Sequence, residues 1–153
     1  MSYGKAHKGY YTPNNPEKWI LSESGLAGAQ IMYRSSWERK FCVFADNNKN
    51  VKYVASEPFA IPYVSPLDNK PHKYYIDFIA VIVDKDGNES KKFIEVKPRA
   101  QTKAPRKSKN MKRYVKEMRT YQVNKAKWQA AIAFCNKQGW EFLILTEIEL
   151  GIS

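Results

Sequence analysis

Charges planted inside apolar strands constrain this chain more than any other feature. Tyr74-Tyr75-Ile76-Asp77-Phe78 and Phe93-Ile94-Glu95-Val96-Lys97 flank the turn sequence Asp84-Lys85-Asp86-Gly87-Asn88. The β-branched and aromatic runs from Tyr74 to Val83 and from Ser90 to Val96 predict two strands of one hairpin. A three-residue loop, Lys85-Asp86-Gly87, would end on a glycine in the left-handed region and set Asp84 opposite Asn88. Counting back from there puts Asp77 opposite Glu95, and the strand period of two puts Lys97 on the same face. A two-residue loop would slip the pairing by one and separate them.

Strands bury their apolar faces, so such charges call for a reason. Two carboxylates beside an ammonium suit a hard cation, Mg²⁺ or Mn²⁺, which takes oxygen ligands and needs only one or two carboxylates besides water and substrate phosphates. A cation held there polarises a phosphodiester and activates a water, and Lys97 would orient that water or offset charge building on the phosphate. The competing reading makes Asp77, Glu95 and Lys97 solvent-facing charges on an edge strand. Glu38 is the candidate third acid. Ser35-Ser36-Trp37-Glu38 also has the spacing of a helix N-terminal capping box, which explains Glu38 without chemistry.

The chain's 153 residues, 43% hydrophobic and 14% aromatic, fit one folded α/β domain with a mixed β-sheet flanked by helices. Residues 1–28, rich in Gly, Pro, Asn, Ser and Tyr, read as an irregular arm with a helical turn near Glu17-Lys18-Trp19; residues 29–153 read as the domain. Within it, Ile31 to Ala45 reads as helix, Val51–Ala55 and Phe59–Val64 as short strands, and Met111 to about Asn136 as a long helix ended by Gly139. Tyr114, Met118, Tyr121, Lys125, Trp128, Ile132 and Cys135 form its expected stripe. Glu141–Leu145 reads as a buried strand. Cys42 and Cys135 fall in apolar patterns and read as reduced core residues. His7 and His72 lack zinc-ligand spacing to them, and no phosphate-binding glycine loop or small-molecule cofactor motif is present. The first residues lack the apolar stretch of a signal peptide, and no run nears the ~20 apolar residues of a membrane span.

From Lys97 to Lys127 the chain carries twelve lysines and arginines against one acid, Glu117, which accounts for the whole net charge of +11. A partner of opposite sign is implied, with double-stranded DNA ahead of a membrane surface or RNA. Arg34, Arg99, Lys103, Arg106, Lys107, Lys109, Lys112, Arg113, Lys116 and Arg119 are the candidate phosphate contacts, interleaved with Tyr114 and Tyr121. A basic run also serves as a plain solvated face.

The order of acids resembles the PD-(D/E)xK nuclease superfamily, with its restriction-endonuclease-like core. There an early helix gives a Glu, a strand gives an Asp and the next strand gives (D/E)-x-K, here Glu38, Asp77, Glu95 and Lys97. Ile76 stands where the superfamily's proline usually lies. Arg34-Ser35-Ser36-Trp37-Glu38, Glu57-Pro58 and the closing Leu145-Thr146-Glu147 make the chain similar to TnsA-type transposon endonucleases. With Gly9-Tyr10-Tyr11 and Pro16-Glu17-Lys18-Trp19-Ile20 added, it resembles the head completion proteins of T4-like tailed phages. That resemblance implies a Mg²⁺-dependent DNA endonuclease of the phage head or neck, present in host cytoplasm during assembly and docking on portal or neck proteins. The rival is a non-catalytic DNA-binding plug of the virion neck that keeps a nuclease-like fold.

Overall fold

The computed structural model describes residues 8–19 and 30–151. Its centre is a four-stranded sheet in the order β3-β6-β7-β8, built from Val51–Ser56, Phe78–Val83, Glu89–Val96 and Glu141–Leu145. The first three strands run antiparallel and β8 joins β7 in parallel, so the sheet is mixed as expected. The turn between β6 and β7 is the three-residue loop read from the sequence. Gly87 takes φ 83° and the Asp84 N–H donates to the Asn88 carbonyl at 3.0 Å. The register Phe78↔Ile94 follows, and it brings Asp77 to the level of Glu95.

Period two then divides the sheet into two faces. Phe78, Ala80, Ile94 and Val96 pack with Trp37, Phe41, Cys42 and Ala45 of α1 (Ser36–Asn47). Phe93 and Ile79, with Phe142 and Ile144, pack instead with Trp128, Ala131 and Cys135 of α2 (Met111–Gln138). Glu95 has the parity of Phe93, so its side chain belongs to the α2 face. Both cysteines are buried and unpaired, and burial pushes their thiols up, to about 12 for Cys42 and about 11 for Cys135.

Several expectations need correction. The run from Tyr74 to Val83 is not one strand. It breaks at Ile76–Asp77 into β5 (Pro71–Tyr75), which pairs with β4 (Ala60–Val64) in a separate ribbon, and β6 in the main sheet. The cause is on the partner strand. Ser56 pairs with Phe78 and Ala60 with Tyr75, so three residues, Glu57-Pro58-Phe59, oppose two. This extra residue bends the ribbon as a bulge does. Glu57 takes φ 44°, an uncommon conformation for a residue ahead of proline, and its N–H donates to the Asp77 carbonyl at 2.9 Å.

The expected helix from Ile31 begins only at Ser36. Ile31–Tyr33 is strand β2, paired antiparallel with β1 (Gly9–Tyr11). Residues 8–19 are therefore not wholly irregular: a 3-10 turn at Pro16–Lys18 follows β1, and Tyr11 and Trp19 are buried in the α1 cluster. The boundary near residue 28, and His7, lie outside the described residues. The fully buried Asp46 carboxylate ties this segment down, accepting from Tyr11 Oη, the Asn14 and Asn15 N–H groups and Trp19 Nε1. Lys18 Nζ meets the carbonyls of Ala45, Asp46 and Asn48 at the end of α1, where a cation suits the helix dipole.

On α2 the buried stripe runs through Asn124, Trp128, Ala131 and Cys135 rather than through Lys125 and Ile132, which are exposed. A polar residue at a core position displaced the apparent stripe by one. Gly139 ends α2 in the left-handed region at φ 73°, as expected. Strand β8 is half-buried rather than buried, because it is the sheet's edge.

Candidate active site

Asp77 lies just outside the ladder, at the break between β5 and β6. Its Oδ2 accepts the Val96 N–H at 2.9 Å, which fixes the carboxylate against β7. Glu95, one residue before Val96, is 5% exposed, a degree of burial that a carboxylate tolerates only with partners. Tyr74 Oη donates to its Oε2 at 2.6 Å, and Lys97 Nζ lies 3.6 Å from its Oε1. Asp77, Glu95 and Lys97 are thus brought together as the hairpin register predicted.

The electrostatics of this cluster are unbalanced. Burial, then the Glu95 and Glu38 charges, push the Asp77 carboxyl well above its usual range, against the opposing pull of the Val96 N–H and Lys97. Burial likewise raises Glu38, countered by the backbone and the charge at Arg34 and raised further by Glu95. Burial beside Glu95 pushes the Tyr74 phenol upward, keeping it a hydrogen-bond donor. Excess buried negative charge of this kind is what a bound cation relieves.

Glu38 has both features anticipated for it. Ser35 Oγ accepts the Glu38 N–H at 3.1 Å and faces Glu38 Oε2 at 3.4 Å, so the residue belongs to the helix cap. It is also buried at 9% exposure and close enough for its charge to act on Asp77. It rides on α1, which packs the opposite face of the sheet from Glu95. Among the described residues no three acids, histidines or cysteines gather around one point as a ligand set. The donors fit a hard cation through two carboxylates: Asp77 keeps Oδ1 beyond its Val96 contact, and Glu95 Oε1, beyond the Tyr74 contact, meets only Lys97 Nζ at 3.6 Å, longer than a hydrogen bond. Waters and substrate oxygens complete such a shell.

The predicted phosphate contacts surround this site unevenly. Lys112, Lys116 and Arg119 line a groove of about 620 Å³ on one flank of α2. Lys103, Arg113 and again Lys116 line another of about 540 Å³ between α2 and the basic loop. Arg106, Lys107 and Lys109 are on that loop, and all three are exposed. Arg34 is engaged by Glu57, Arg113 by Glu117 at 2.8 Å, and the Arg99 N–H by Glu147 at 2.8 Å.

Two residues were missed. Tyr74 and Asp77 would point to opposite faces of a straight strand, so nothing in the sequence joined them; the break lets the Tyr74 hydroxyl reach Glu95. Lys127 was seen only as part of the basic run. Its ammonium stands 5.8 Å from the Tyr74 ring centroid and 5.9 Å from that of Tyr63. Its spacing of eleven from Lys116, three helical turns, was the available signal.

A family model described as TnsA-like endonuclease N terminal matches residues 48–147. The head completion nuclease of Enterobacteria phage T4 is 34% identical over 147 residues, covering 93% of this chain and 92% of that protein.

Proposed function

This chain belongs to the TnsA-like endonuclease family, and from that premise we propose that it is a divalent-metal-dependent DNA endonuclease acting in phage head completion. The observation that carries the reading is Asp77 held level with Glu95, with Lys97 at 3.6 Å from Glu95, on chains buried enough to need a counter-charge.

Asp77 and Glu95 would hold Mg²⁺ or Mn²⁺, and Glu38 completes the acidic pocket from its capped position. A cation bound there supplies positive charge to the scissile phosphate and acidifies an attacking water. The chain's own groups do the rest. Val96 N–H fixes Asp77. Tyr74 orients Glu95 by its short hydrogen bond. Lys97, partly exposed beside Glu95, orients the water or stabilises charge on the phosphate. The cations of the α2 grooves and the basic loop bind the duplex backbone without reading sequence. Docking on portal or neck proteins in the virion belongs to the same proposal, supported by the likeness to the phage T4 protein.

Plasmid nicking in Mg²⁺ tests it. Asp77→Ala is expected to abolish cutting while duplex binding survives, and calorimetry is expected to show Mn²⁺ binding to the wild type. Equal cleavage by the two proteins overturns the catalytic assignment. No Mn²⁺ binding and no cleavage by the wild type favours a non-catalytic plug.

A further inference from the structure

Lys127 is half-buried on α2, on the face of the sheet from which Glu95 projects. Tyr74 links the two: its ring lies 5.8 Å from the Lys127 ammonium, and its hydroxyl donates to Glu95 at 2.6 Å. Among the described residues Lys127 forms no ion pair, since Glu95 pairs with Lys97. Two ring faces about 6 Å away are weak support for a half-desolvated ammonium and do not replace the hydration it has lost. The group therefore has no anion in direct contact among the described residues. Burial and then the Lys97 charge push its pKa down, with Glu95 and Asp77 acting the other way, so it is within electrostatic reach of those three residues.

Its position on α2 says which anion. Lys112, Lys116, Arg119 and Lys127 line the same groove. From Lys112 to Lys127 the helix rises about 22 Å, roughly the rise of six or seven base pairs. Lys112 and Lys116 lie on the outer half of the helix, where only Tyr114 and Met118 of the first ten residues are even half-buried. Lys127 is the inner end of the row, next to the acids.

We propose that Lys127 is a substrate-contacting cation of the site, its ammonium binding an oxygen of the DNA phosphate next to the one cut. This rests on the endonuclease reading, but its test does not need cutting. Duplex binding is measured against salt in two chains disabled alike for cleavage, Asp77→Asn and Asp77→Asn/Lys127→Met. Methionine keeps an apolar stem against Tyr63 and Tyr74. The log–log salt slope is expected to fall in magnitude by about 0.9, one phosphate contact, and to return with Lys127→Arg. An unchanged slope overturns the proposal. If the methionine variant loses its helical circular dichroism, Lys127→Gln is measured in its place against the same criterion. In a chain able to cut, Lys127→Met is expected to lower kcat/KM about 10- to 100-fold. A wild type that binds but never cuts would sink the endonuclease reading and leave the slope to judge Lys127.

Discussion

Replacing Asp77 by asparagine is expected to move stability and activity in opposite directions. Asparagine keeps an oxygen for the Val96 N–H, now at 2.9 Å from Asp77, though a neutral acceptor makes a weaker bond. What leaves is a charge that burial, Glu95 and Glu38 all disfavour and that only the Val96 N–H and Lys97 support. The net gain in metal-free protein should be on the order of 0.5–2 kcal/mol, the range for relieving strain at a functional site. For a chain of this size that is a rise of a few degrees in Tm, at about 2–4 °C per kcal/mol. The pH dependence fixes the sign. With its native pKa raised, Asp77 contributes fully to wild-type stability below the ordinary value of 3.8, and that contribution is lost as pH climbs through the raised value. The asparagine chain has no such loss, so its advantage grows with pH. Melting in chelator at about pH 5 and about pH 8, beside plasmid nicking in Mg²⁺, reads both effects, and cutting should fall by about 10³-fold or more. An asparagine variant that melts below wild type at the higher pH, or an advantage that shrinks as pH rises, refutes the electrostatic account.

Asp46→Ala orphans four donors, two of them buried (Tyr11 Oη and Trp19 Nε1), and should cost about 3–5 kcal/mol in urea unfolding. Burial opposes the Asp46 charge but its hydrogen bonds prevail and hold its pKa down, so its contribution is present above 3.8 and the gap to the variant narrows as pH falls below that value. Tyr74→Phe keeps the ring under Lys127 and removes the donor to Glu95; cutting or Mn²⁺ affinity should drop about 10- to 100-fold with the fold intact, and unchanged values for both would make the hydroxyl merely structural. Replacing Lys112, Lys116 and Arg119 together by alanine should lower the magnitude of the salt slope of duplex binding by about 2.7 while leaving melting within ~0.5 kcal/mol.

What the sequence made legible depended on local chemistry. Lys85-Asp86-Gly87 could be assigned because only a glycine suits the left-handed last position of that loop, and one assignment carried the register as far as Asp77 and Glu95. The break at Ile76–Asp77 was hidden because buried alternation continues through Tyr74, Ile76, Phe78 and Ala80. Its cause is Glu57-Pro58, on another strand, and no pattern local to Asp77 reports it. The tilt of α2 was misread for a related reason. Ile132 is apolar yet 46% exposed, and Asn124 is polar yet 7% exposed, so hydropathy pointed to the wrong residues at both positions.

The same break resolves the two rival accounts of Glu38. A regular sheet keeps its faces apart, and α1 and α2 cover opposite ones, so a carboxylate capping α1 should not sense a carboxylate on the α2 face. Yet Glu38 and Glu95 each act on Asp77, and Glu95 acts on Glu38. Asp77 has left the ladder, so no strand separates it from either helix. Its position lets one acid be addressed from both sides: by Glu38 across the end of α1, and by Glu95 with Tyr74 and Lys127 from the α2 side. Capping does not compete with that role: Ser35 Oγ accepts the Glu38 N–H at 3.1 Å, which caps the helix, and meets the Glu38 carboxylate at 3.4 Å, so the cap and the carboxylate share one anchor. On the reading proposed, Glu38 works by field and not by ligation. Glu38→Gln should therefore weaken cation binding less than Asp77→Asn does, whereas a third direct ligand would make the two losses alike.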